Sequence, residues 1–149
     1  MANRINLVID CADPVAQARF WATALRFELE PPPEGQPSWF AYYRSIGVPE
    51  EELQGPDEPD RIVDPDGVQP RIWFQQVPEA KAVKNRVHLD ISVGGGRTTP
   101  VAERRRQVDA EVARPIAAGA RIAWGHDEPG VDHYAVTMYD PEGNEFCVT

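Results

Sequence analysis

His88 and Asp90 stand two residues apart in Arg86-Val-His-Leu-Asp-Ile-Ser-Val93, a segment that alternates apolar and polar residues. A period of two reads as a strand: Val87, Leu89, Ile91 and Val93 share one face, and Arg86, His88, Asp90 and Ser92 the other. Histidine ordinarily titrates near neutrality, so an imidazole beside a carboxylate can serve as general acid or base. Asp10 offers a second carboxylate, from a segment in which Ile5, Leu7, Ile9 and Cys11 share one face and Asn6, Val8, Asp10 and Ala12 the other. The candidate catalytic group is therefore His88, with Asp90 or Asp10 to orient it. Two strands with polar faces fit a lined cavity. A solvated face of an antiparallel sheet gives the same pattern, and a cross-strand hydrogen bond would satisfy the same histidine.

Around these residues, Asn6 and Arg86 share the polar faces and are candidate ligand contacts. Trp39 and Trp73 offer flat aromatic walls, although aromatics at strand spacing also build cores. Glu145 and Cys147, near the end of the chain, share a parity that would bring both to the same cavity. His133, in Asp132-His-Tyr134, and His126 form a second polar cluster at the rim. Nucleophilic catalysis lacks its signatures, because no GxSxG elbow is present. Gly94-Gly-Gly96 reads as a flexible joint, since neither GxGxxG nor GxxxxGK[ST] occurs.

The elements that must position these groups repeat. Asp64-Pro-Asp-Gly67 recurs as Asp140-Pro-Glu-Gly143, each a tight-turn sequence ahead of a strand-like segment, 71–77 and 145–148. A helix begins at Asp13-Pro14, with Val15, Ala18, Trp21, Ala22 and Leu25 as its apolar stripe. A second runs from about Pro100 to Ala118, closed by Gly119, with Pro115 expected to kink or shorten it. Short strands follow each helix at 27–30 and 120–124. Further strands are expected at 38–45, 61–63 and 134–139. The segment 48–60 is acidic and proline-bearing, a surface excursion or a lid.

The chain has 149 residues, 42% of them hydrophobic, which suits one domain or two small halves sharing a core. Its formal charge of −9 disfavours nucleic acid, whose binding draws on cations. It would suit a cationic ligand. No apolar run reaches the ~18–20 residues of a membrane span. The opening residues lack a secretion-signal layout, and the two cysteines, Cys11 and Cys147, are expected as thiols in a cytoplasmic protein.

Strand, helix, strands, DPxG turn and strand, occurring twice, resembles the vicinal oxygen chelate superfamily, in its glyoxalase-like branch. The segments 8–14, 84–90 and 140–148 carry the resemblance, which extends from Ile5 to Val148. It implies an α+β fold of two βαβββ modules, about 1–80 and 84–149, within a single glyoxalase-like domain. Their curved mixed sheets would pair into a cup around a small molecule. It also implies a metal held by residues on the cup face, and here the transfer is incomplete. His88 matches one ligand, but the matching positions elsewhere hold Asn6 and Cys147, and 71–76 offers only Gln75 and Gln76. No cofactor is therefore expected; His88 is the residue that would hold a metal, and Cys147 beside it would suit a softer ion. The implied function is an enzyme, or an enzyme-derived protein, acting on a small oxygenated organic molecule. The alternative is a ligand-sequestering protein of the bleomycin-resistance type. A homodimer is a further expectation, because such cups often pair.

Overall fold

The computed structural model describes residues 5–149, which form two four-stranded mixed sheets. The chain divides into two compact units. One comprises residues up to Ala22 with Arg26–Val77, the other Thr23–Leu25 with Pro78–Thr149.

The first unit holds β1 (Leu7–Cys11), most of α1 (Pro14–Leu25), β2 (Glu28–Leu29), α2 (Trp39–Ser45), β3 (Arg61–Val63) and β4 (Ile72–Gln76). The strand order is β1-β4-β3-β2, parallel between β1 and β4 and antiparallel elsewhere. Asp13 begins α1 as expected, its Oδ1 accepting from the Ala16 amide at 3.0 Å. Buried Cys11, Ile62, Ile72 and Phe74 fill the inner face of the sheet. The register Val8↔Trp73 and Asp10↔Gln75 leaves those four residues on the opposite face.

The strand expected at 38–45 is instead α2. Ser38 caps it, accepting from the Ala41 amide at 3.1 Å. Helical spacing sets Trp39 and Tyr43 one turn apart, so that both rings reach Arg61, at 4.7 and 6.0 Å from ring centroid to guanidinium. Strand alternation could not bring both rings to one guanidinium in this way.

The second unit repeats the order: β5 (Asp90–Ile91), α3 (Val101–Ala117), β6 (Arg121–His126), β7 (Ala135–Tyr139) and β8 (Glu145–Val148). Its strands run β5-β8-β7-β6, with β5 and β8 parallel. The helix α3 lies on β6, β7 and β8, over a core that includes Val108, Met138, Phe146 and Val148. Pro115 sits inside its last turns without ending it, and Gly119 follows at φ +113°. The strand expected over 86–93 contracts to two residues, and Val87 is 74% exposed rather than packed on a helix. The ladder with β8 starts only where the Cys147 amide donates to the Leu89 carbonyl, so the alternation upstream has no partner strand to act on.

Each DPxG turn is organised by its aspartate. Asp64 accepts from the amides of Asp66, Val68 and Gln69 at 2.8–3.0 Å. Asp140, fully buried, accepts from the amides of Glu142 and Asn144 at 2.9 and 2.8 Å and from the Asn144 side chain at 2.9 Å. Gly67 and Gly143 close the turns at φ +67° and +87°.

Candidate functional site on the second sheet

Four strands of the second unit each contribute one residue to a row across one sheet face. The register pairs Asp90 with Cys147, Cys147 with Thr137, and Thr137 with Trp124. Directly paired residues point to the same side, so all four belong to one face. His88 joins the row at one end, its Nε2 3.3 Å from Asp90 Oδ1. Their side chains are 45% and 52% exposed, open to a ligand from solvent. His126 joins at the other end.

A β-bulge decides that second end. The register of β6 against β7 shifts between Ile122 and Trp124, so Arg121, Trp124 and His126 share a face. Simple alternation would have separated Arg121 from the other two. A chain of hydrogen bonds then runs along the row. Trp124 Nε1 donates to His126 Nε2 at 2.7 Å, His126 Nε2 meets Thr137 Oγ1 at 3.0 Å, and Thr137 Oγ1 meets Cys147 Sγ at 3.3 Å. An indole N–H only donates, so His126 Nε2 is the acceptor in the first of these bonds. Thr137 Oγ1 thus sits between the imidazole and the thiol, within hydrogen-bond distance of both. Thr137 is 3% exposed, whereas Trp124 at the end of the row is 43% exposed.

Beside Asp90 lies a pocket of about 290 Å³, whose lining includes Ser92, Gly94–Gly96, Arg97, Arg104 and His133. Arg104 is buried; it donates to the Thr99 carbonyl at 2.9 Å and pairs with Asp132. Tyr134, also on the pocket wall, donates to Asp109 at 2.6 Å. That bond, with burial, pushes the Tyr134 hydroxyl up to about 12.

The residues singled out from sequence are divided between the units. His88, Asp90, Cys147 and His133 stand on or beside this face, and exposed Arg86 precedes it. Glu145 lies on the same face by its register with Tyr139, and its Oε2 accepts from the Asn85 amide at 3.0 Å and from Lys81 Nζ at 3.1 Å. Those donors hold its carboxyl below the usual glutamate range, the Asn85 amide foremost. Asn6, Asp10, Trp39 and Trp73 belong to the first unit. Trp39 and Trp73 line a separate cavity there of about 540 Å³, together with Phe40, Tyr43, Asp13, Glu52, Glu58 and Asp60. Asp60 accepts from Trp73 Nε1 at 2.9 Å and lies 3.3 Å from Arg61 Nε. Thr137 and Trp124 were missed by sequence reasoning, and His126 was placed only at the rim. The available signal was Thr137 itself, a polar residue between Val136 and Met138.

The sheet order and the repeated βαβββ unit can be set against known proteins. The profile of the glyoxalase-like domain family matches residues 6–149. The chain belongs to the glyoxalase-like domain family. No curated protein sequence matches this family member. Among solved structures, a hypothetical protein from S. aureus superposes with a TM-score of 0.60 at 15% identity, covering 99% of this chain and 93% of its own. A glyoxalase/bleomycin resistance protein/dioxygenase family enzyme from Burkholderia phytofirmans gives 0.58 at 19% identity, covering 96% and 94%. A variant of the fosfomycin resistance protein FosX from Listeria monocytogenes, complexed with Mn(II) and a dihydroxypropylphosphonic acid, gives 0.58 at 11%, covering 99% and 89%. At these identities the likeness establishes the shared fold, and the glyoxalase-like chain keeps its own site residues.

The Mn(II) in that FosX complex poses a question of fit. Among the described residues, His88, Asp90 and Cys147 each bring one potential ligand atom to within 4.8 Å of the others. Manganese is served by carboxylate, carbonyl, imidazole and water, and a thiol in place of a carboxylate is the wrong donor for it. This glyoxalase-like site therefore does not fit a hard ion of that kind.

Proposed function

We propose that this glyoxalase-like protein acts on a small oxygenated organic molecule at the polar face of β5–β8, with His88 moving a proton and Asp90 orienting its ring. The observation that carries the reading is the 3.3 Å approach of His88 Nε2 to Asp90 Oδ1, with both side chains half open to solvent. A carboxylate on one edge of an imidazole fixes ring orientation and stabilises the imidazolium formed when the ring takes a proton. The neighbouring pocket supports this reading with Arg97, Ser92 and three glycines, groups suited to oxygen atoms. The arrangement suits proton abstraction or donation at a carbon or oxygen next to an oxygenated group.

The test follows carbon-bound hydrogen exchange in a panel of small hydroxycarbonyl compounds in deuterated water. Wild-type protein is expected to catalyse exchange in at least one, and His88→Ala to lower that rate by about 10²–10⁴-fold. Asp90→Asn is expected to cause a smaller loss. Absence of wild-type exchange across the panel, or an unchanged rate in His88→Ala, would overturn the reading.

One observation favours sequestration as a second reading. The cavity of the first unit has aromatic walls and four carboxylates, of which Asp60 faces Arg61 and Glu58 pairs with Arg19. Such a lining suits an organic cation with a flat apolar body. Titration with a cationic glycopeptide, followed by tryptophan fluorescence, should give binding that weakens as salt rises. No binding at low salt would remove this reading.

A further inference from the structure

We infer that His88, Asp90 and Cys147 form a site for a thiophilic divalent cation of the zinc class, built wholly within the second unit. The cluster combines imidazole, carboxylate and thiol, the donor types from which zinc sites are assembled. The 3.3 Å between His88 Nε2 and Asp90 Oδ1 equals the edge of a zinc tetrahedron with bonds of about 2.0–2.1 Å. Cys147 Sγ, within 4.8 Å of both partners, needs a side-chain adjustment of about 1 Å to complete a third corner. The exposed side of His88 and Asp90 leaves the fourth corner to water or a ligand.

On binding, the Cys147 S–H bond breaks, a sulfur–metal bond forms, and the proton leaves to solvent. The Thr137 hydroxyl, 3.3 Å from the sulfur, can then turn to donate to it. His126, itself held by Trp124 Nε1, lies 3.0 Å behind Thr137 Oγ1. Outer-shell partners of this kind orient ligands and tune affinity. The arrangement departs from the one the fold resemblance implies: it uses nothing from Asn6 or 71–76 and takes its carboxylate from Asp90. It does not rest on the proton-transfer reading. An imidazole nitrogen bound to an ion cannot also accept a proton, so the ion-bound and proton-transferring forms are alternative states of one site.

The test uses Co(II) as a spectroscopic probe on the full chain. One equivalent is expected to bind with a near-ultraviolet sulfur-to-cobalt charge-transfer band. Zn(II) should displace it, and an equal concentration of Mn(II) should not. Cys147→Ser is expected to lose the band while keeping its circular dichroism. His88→Ala and Asp90→Asn should each weaken Co(II) binding at least about tenfold, and Thr137→Val, which keeps all three ligands, about tenfold. The inference fails if the wild type shows no such band or if Mn(II) competes as well as Zn(II). It also fails if the band survives in Cys147→Ser, which would assign it to buried Cys11, whose Sγ donates to the Gln75 carbonyl. Should Cys147→Ser not fold, the wild-type band, the metal competition and the Thr137→Val affinity still decide.

Discussion

Glu145 illustrates how one side chain can serve position rather than chemistry. Its parity with Cys147 made it a candidate for the ligand face, yet its carboxylate is 10% exposed and holds the Asn85 amide and Lys81. It thereby fastens the segment that leads to His88. Because the folded carboxyl is held below its ordinary value, its contribution to stability is present above the ordinary glutamate range. It is lost as the pH falls through the folded value. Glu145→Gln is expected to cost about 1 kcal/mol near neutrality. Urea unfolding should show that deficit shrinking as the pH is lowered from about 5 towards 3. A deficit independent of pH would mean that the carboxylate charge is not what matters. At this scale the closeness of His88 to Asp90 was legible from their spacing, although the strand that spacing predicted shortened to Asp90–Ile91. The engagement of Glu145 was not, because its partners lie 60 and 64 positions away.

At the scale of elements, α2 is the informative departure. Its residues, Trp-Phe-Ala-Tyr-Tyr, have strong strand propensity, and isolated short helices are marginal. Two contacts reverse that preference: the Ser38 cap and the stacking of Trp39 and Tyr43 on Arg61, itself bonded to the Tyr43 hydroxyl at 2.7 Å. Ser38→Ala should therefore destabilise the first unit by about 1 kcal/mol, read as a lower urea midpoint with an unchanged slope. A shift within measurement error would mean that packing alone holds the helix. The bulge in β6 is the corresponding departure in the second unit. A single extra residue there turns Trp124 and His126 onto the same face as Thr137, and nothing in the alternation of 121–126 announces it.

Across the whole chain, the two units repeat one topology with different contents. Phe74 of β4 and Phe146 of β8 occupy corresponding strands, each paired in parallel with its unit's first strand. Both are fully buried. Phe74→Ala and Phe146→Ala should each cost about 3–5 kcal/mol, measured by chemical denaturation. A loss below about 1 kcal/mol in either would show that its unit repacks around the gap. The repeat was legible because it is written locally, in turn chemistry and periodicity. Asp-Pro-x-Gly specifies a turn wherever it occurs, and a helix cap needs only a few neighbouring residues. The order βαβββ and the two DPxG turns thus followed from the amino-acid order by itself. Only tertiary structure decided which residues of different strands share a row, because register and bulges depend on pairing across long loops. That is why Cys147 meets Thr137 and His126, and why the aromatic run after Ser38 coils around Arg61 instead of extending.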